Sequence, residues 1–471
     1  MTGNWFRCSV LAIAAVTAIA VTAMAGCTAS KPHPKPAPSH SGGPVSSTAL
    51  AAPHPCTITG FTCVSLIVPV DHAHPSGDTL SLSVAVSQNT NAPRGVLLLL
   101  TGGPGQPGVG LLETVSARVS YLADDYQLVM IDQRGTAGTA FHCPELQAQV
   151  GSSDIAAATP AAVSACADEI GPARDFYTTA DTIADLEDLR NALHASRWTL
   201  DGVSYGSFVA ERYAFAHPDR ITRMVLDSVV PPDGVPALYE ASLHRTAEVL
   251  RAACTTQHCG YDPAADVATV VRTRHDGVGL FDLIVTASIV DPTFAGGQAF
   301  YPVLDLIHKA AHGDAKPLAD AIKDLETNSD QGAAAYSSGL HVATICPDLV
   351  GAPWGTSTAP LPRTAAITAA EQKITSAAVW PFDPTTAIDQ GLIGSCRYWP
   401  PGRPDPAPTG KLAVPALLIN GDRDLSTPLP WAQATLTRFT NGKLVVVAGM
   451  GHSIQGRNPQ GDAAVKAFLL A

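Results

Sequence analysis

Trp198-Thr199-Leu200-Asp201-Gly202-Val203-Ser204-Tyr205-Gly206-Ser207 reads as a short strand, a tight turn with one serine between two glycines, and the first residues of a helix. A serine at such a strand-to-helix turn is held in a strained conformation with its hydroxyl presented outward, the geometry of a nucleophile elbow. Small neighbours are required because the strand and helix pass close on either side. Alone the pattern is weak: with 39 glycines in 471 residues, a Gly-x-Ser-x-Gly match arises by chance in about one such chain in five.

The flanking sequence supplies context. Leu97 to Leu100 is an apolar run leading into Thr101-Gly-Gly103-Pro-Gly105, a glycine-rich loop able to aim backbone N–H groups at a developing oxyanion. Downstream, Pro415 to Asn420 leads into Gly421-Asp422-Arg423-Asp424, and Lys443 to Val447 leads into Gly449-Met-Gly-His452. Each candidate catalytic residue thus follows an expected strand, and the order Ser204, Asp424, His452 is that of an α/β-hydrolase.

Further strands are expected at Cys63 to Val70, Leu80 to Gln88, Gln127 to Asp132 and Arg223 to Asp227. Helices are expected at Thr182 to His194 and Ser207 to His217, with a polar excursion from Phe141 to about Ala180. Such alternation predicts a mostly parallel sheet with helices on both faces. It lapses over residues 233–408, where Ala241 to Ala253 and Gln298 to His312 look helical; this is read as a largely helical cap inserted before the last strands and placed over the pocket. The core is expected over residues 56–232 and 409–471.

The start of the chain is read as an export signal over residues 1–26: Arg7, an apolar stretch from Ser9 to Ala25, then Met24-Ala-Gly-Cys27. This resembles a bacterial lipoprotein signal, with Cys27 as the acylated residue; Ala23-x-Ala25 would also suit ordinary cleavage and a secreted soluble product. Residues 27–55, rich in Pro, Ser, His and Ala, read as an unstructured tether. Setting aside Cys8 and Cys27 leaves eight of the ten cysteines, an even number suited to an oxidising compartment. Eight cysteines allow 105 connectivities; pairing of neighbours is the expectation, Cys56 with Cys63, Cys143 with Cys166, Cys254 with Cys259 and Cys346 with Cys396. The net charge of −12 and the lack of a basic stripe argue against a nucleic-acid partner. No cofactor is expected, and no metal: His308 and His312 stand four apart on an expected helix, but no third ligand is evident.

Taken together, Gly102-Gly-Pro-Gly105, Asp132-Gln-Arg-Gly135, Gly202-Val-Ser-Tyr-Gly206, Tyr213-Ala-x-x-His-Pro-Asp-Arg220 with Val225-Leu-Asp227, Cys396-x-x-Trp-Pro400 and Gly421-x-x-Asp424-x-x-Thr-Pro428 resemble the exported actinobacterial tripeptidyl aminopeptidases and proline iminopeptidase-like serine peptidases. The likeness runs from about Cys56 to the C-terminus. It departs at Thr101, where the family often has histidine, and at Thr136-Ala-Gly-Thr139, where it often has Thr-Gly-x-Ser. The resemblance implies Ser204 as nucleophile, Asp424 and His452 as its partners, and release of short peptides from free amino termini.

On that reading His452 takes the serine proton and Asp424 orients the histidine. Asp422 competes with Asp424; the spacing before Thr427-Pro428 favours Asp424. The oxyanion donors are expected to be the backbone N–H groups of Tyr205 and Gly103. Asp132 and Arg134 are expected to tie their loop together rather than bind substrate. A carboxylate is needed for the substrate's ammonium group, and Glu240, Asp305 and Asp348 are available in the cap. A carboxylesterase or lipase would use the same triad, and a non-catalytic envelope binding lipoprotein is the reading from another class.

Overall fold

The computed structural model describes residues 50–471 apart from residues 292, 295–299 and 404. The expected signal, Cys27 and most of the tether lie outside the described residues. In chain order the strands are β1 (Leu50–Pro55), β2 (Phe61–Pro69), β3 (Thr79–Ser87), β4 (Val96–Leu100), β5 (Gln127–Ile131), β6 (Trp198–Val203), β7 (Ile221–Asp227), β8 (Val235–Pro236), β9 (Leu349–Val350), β10 (Ala416–Gly421) and β11 (Gly442–Val447). Nine of them form one sheet in the order β1-β2-β3-β5-β4-β6-β7-β10-β11. β1, β2, β3 and β5 pair antiparallel in turn, and every later pair is parallel. β4 and β10 are buried along their whole length, as parallel strands covered on both faces must be. This is the α/β-hydrolase fold.

The chain passes from β4 to β5 on one side and to β6 on the other, so the winding reverses at β4. The crevice at the carboxyl ends of β4 and β6 is where such sheets bind ligands. Between β8 and β10 the regular elements among the described residues are helices joined by irregular loops, apart from the two-residue β9, which pairs with β8.

Three expectations need correction. Residues 50–55, read as tether, form β1, which pairs antiparallel with β2 through Leu50, Ala51, His54 and Pro55. Its side chains are almost all exposed, so no apolar alternation marks it, and its two prolines are tolerated because it is an edge strand. The excursion from Phe141 carries two helices, Pro144–Val150 and Pro160–Ile170, both opened by proline at the first position. The helix expected from Gln298 begins at Val303 and runs to Ala311.

The cysteines bond in sequence order, Cys56 to Cys63, Cys143 to Cys166, Cys254 to Cys259 and Cys346 to Cys396. Arg134 is fully buried; it pairs with Asp185 and donates to the carbonyls of Pro69, Val70 and Phe176. Asp132 accepts from the Val109 N–H at 2.8 Å. Both residues are therefore engaged in holding loops.

Candidate active site

Ser204 stands between β6 and the helix Tyr205–Ala216 at φ +58°, ψ −127°, and its N–H donates to the Asp227 carbonyl at 2.9 Å. The two flanking glycines are set by close approach. A Cβ on Gly202 would lie 2.2 Å from the Gly206 carbonyl oxygen, and one on Gly206 would lie 2.4 Å from that of Leu100. Helix and strands therefore meet backbone to backbone under the serine. A Cβ on Gly102 would lie 3.4 Å from Ser204 Oγ, so the glycine-rich loop runs directly over the hydroxyl. Tyr205 is the first residue of its helix, where N–H groups lack intrahelical acceptors. Gly102 and Gly103 line the same cavity as Ser204.

Of the two aspartates after β10, Asp424 meets the histidine: its Oδ2 lies 3.0 Å from His452 Nδ1. Its carboxylate is held by the N–H groups of Ser426 and Thr427 at 2.9 and 2.8 Å and by the Thr427 hydroxyl at 2.7 Å. Asp422 instead accepts from the Gly449 N–H at 2.7 Å, closing the turn after β11. With Nδ1 committed to Asp424, Nε2 is the nitrogen left for the serine. Burial disfavours the His452 cation, but the charge and hydrogen bond of Asp424, aided by Asp227, outweigh it and hold the imidazole pKa above its ordinary value.

The loop bearing His452 is pinned from two sides. From the sheet, Asp227 accepts from the N–H groups of Ile454 and Gln455, and the Ser228 hydroxyl accepts from the Ser453 N–H. From the helical insertion, the helix Gly277–Val290 offers the Ser288 carbonyl to the His452 N–H at 2.8 Å. Arg457 then bridges the carbonyls of Ile289 and His452 at 2.7 and 2.8 Å. These supports were not legible in the sequence, because each joins residues far apart in the chain.

Ser204 and His452 share a cavity of about 650 Å³, within the range of small-ligand sites. Glu240, Asp305 and Asp348 do not line it. Glu240 and Asp305 are exposed, Asp305 pairing with Lys309. Asp348 is buried and accepts from Thr179 Oγ1, which also bonds the Tyr205 hydroxyl. The carboxylates in the wall are Asp154, Asp201 and Asp282. Asp282 accepts from the Ser153 hydroxyl at 2.7 Å; burial, reinforced by the charge of Asp154, pushes its pKa up to about 6. Asp154 also meets the Tyr239 hydroxyl at 3.2 Å and His341 Nε2 at 3.3 Å. A sequence signal for Asp282 existed: it is the one acid in the apolar helix Gly277–Val290, and such a charge needs a polar reason to be buried.

A nucleophile elbow, a histidine joined to a buried aspartate and a glycine-rich loop at the reversal of an α/β sheet define a serine hydrolase. The chain matches the family model for the alpha/beta hydrolase fold over residues 95–279 and that for TAP-like proteins over residues 378–471; it has the fold of the α/β-hydrolases, and its last part is similar to TAP-like proteins. It is 26% identical over 453 residues to the tripeptidyl aminopeptidase of Streptomyces coelicolor, covering 87% of this chain and 80% of that one. It is 30% identical over 241 residues to the serine protease Hip1 of Mycobacterium tuberculosis, covering 46% and 45%. An α/β-hydrolase from a Medee basin deep-sea metagenome aligns with 83% of this chain and 94% of its own at 13% identity and a TM-score of 0.40.

Proposed function

We propose that the protein is a serine aminopeptidase that releases short peptides from free N-termini. The observation that carries this reading is the pairing, in one cavity wall, of Ser204 and His452 with the carboxyls of Asp154 and Asp282. An ammonium group entering that wall meets two carboxyls, of which the buried Asp282 is already largely desolvated, and that strengthens the ion pair over one in water. The name of the Streptomyces relative supports the same substrate class.

In the reaction, Ser204 Oγ attacks the scissile carbonyl carbon as His452 Nε2 takes its proton. The oxyanion is received by the N–H groups of Tyr205 and Gly103. Collapse breaks the C–N bond, with His452 returning the proton to the leaving amine. Water, deprotonated by the same nitrogen, then releases the peptide from the serine.

The test compares a tripeptidyl-coumarin amide bearing a free amine with its acetylated form, after subtracting the rate of Ser204→Ala. A free-amine preference of at least about tenfold, roughly 1.4 kcal/mol, that shrinks in Asp282→Asn through a higher KM is the expected result. Equal rates for the two substrates would move the reading to an esterase or endopeptidase. The expected acylation of Cys27 extends the proposal to an enzyme held on the outer face of the cell membrane. Its check is cell fractionation, in which wild-type chain follows the membranes and Cys27→Ser does not; identical distributions would remove the anchor.

A further inference from the structure

The sequence left His308 and His312 without a third ligand; the fold supplies one from another helix. His308 lies in the helix Val303–Ala311, with His312 capping its end, and the four-residue spacing puts both rings on one face, 4.3 Å apart between centroids. The helix Pro263–Arg274 brings Asp266, from its first turn, against that face, with the carboxylate Oδ2 2.7 Å from His308 Nδ1. One donor atom from each of Asp266, His308 and His312 lies within 4.8 Å of the other two. We propose that these three residues form a zinc site that clamps the two helices together, outside the catalytic cavity, whose wall includes none of them.

The parts are arranged for capture. Asp266 is 8% exposed, so its carboxylate has already lost most of its water. The Tyr261 ring stacks on His308 at 3.8 Å between centroids and 13° between planes, which fixes the imidazole orientation. His312 Nδ1 is bonded to the His308 carbonyl at 2.8 Å, leaving Nε2 free to ligate. Tetrahedral zinc with nitrogen and oxygen ligands at about 2.0–2.2 Å sets donors roughly 3.4 Å apart. Closing to that spacing takes about an ångström of side-chain movement, which the exposed His312 ring can make. The ion takes the place of the proton now shared by Asp266 and His308, that proton moving to the outer nitrogen of His308. Two imidazoles with one carboxylate suit zinc, whereas magnesium and calcium prefer oxygen donors throughout. Water completes the fourth position.

The experiment is calorimetric titration of the full-length chain, purified without a histidine tag and stripped of metal, with zinc chloride. The expected result is one zinc per chain, a binding constant weakened at least tenfold in His312→Ala and in Asp266→Asn, and no heat with magnesium chloride. Zinc should raise the melting temperature of the wild type and not that of His312→Ala. His312 is exposed, so its replacement leaves the fold intact, and circular dichroism checks this. Ser204-dependent peptide hydrolysis by His312→Ala should match wild type, which separates this site from any zinc bound at His452. No zinc binding by the wild type, or binding unchanged in His312→Ala, overturns the proposal.

Discussion

Ser204 occupies a backbone conformation that costs an L residue about 1–3 kcal/mol, a strain held by the surrounding packing. The glycines at 202 and 206 make the position available, and Asp424 prepares the base. Because His452 acts as a base only when neutral, activity falls as pH drops through its pKa, which Asp424 and Asp227 hold above the ordinary 6.5. Asp424→Asn removes the largest stabiliser of the cation. The acid limb of the kcat/KM profile should then move to lower pH, while kcat falls about 10³–10⁴-fold through loss of the correct tautomer. A limb that stays in place would mean that Asp424 does not set the histidine's titration. At this scale the sequence was informative where an apolar strand ended in a reactive side chain, as at Ser204, Asp424 and His452. It was silent on which acids share the cavity wall with Ser204: Asp154 and Asp282 come from segments far apart in the chain and line one cavity only after folding.

Elements show the same division. β4, β5, β6, β7 and β10 were legible because each is a compact apolar run between turn residues, and burial on both faces requires that composition. β1 was not, because it contributes backbone pairing rather than an apolar face. The helices at Pro144–Val150 and Pro160–Ile170 escaped notice because only one side of each is buried, against the small cluster around the Cys143 to Cys166 bond. The helix Gly277–Val290 joins two functions that no local reading could connect. Asp282 faces the cavity from its middle, while Ser288 and Ile289 near its end hold the His452 loop. A ligand ammonium group bound at Asp282, as proposed, would therefore load the same element that holds the catalytic base.

Across the whole molecule, several buried carboxyls stand high. Burial pushes Asp201 up to about 7, against the lowering effect of its Gln455 hydrogen bond, and pushes Asp348 up to about 7 in the same way against that of Thr179. Glu211 is fully buried, with neither carboxylate oxygen bonded to another described group, and it too is raised. In the unfolded chain these groups release their protons near pH 4. Between about pH 4 and 7 the folded chain thus binds more protons than the unfolded one, so stability falls as pH rises through that window. The −12 net charge acts in the same direction, since self-repulsion grows as acids ionise. Stability and activity therefore oppose each other: the fold gains from the protons that His452 must lose. Asp201→Asn keeps the shape and a partner for Gln455 but removes one titration. Its melting temperature should exceed that of wild type at pH 8 by several degrees, a change of a few kcal/mol, and the two should converge near pH 4. A variant that melts at or below the wild-type temperature at pH 8 would show that ionised Asp201 carries a favourable interaction, and that the cavity floor it lines is built to hold a negative charge.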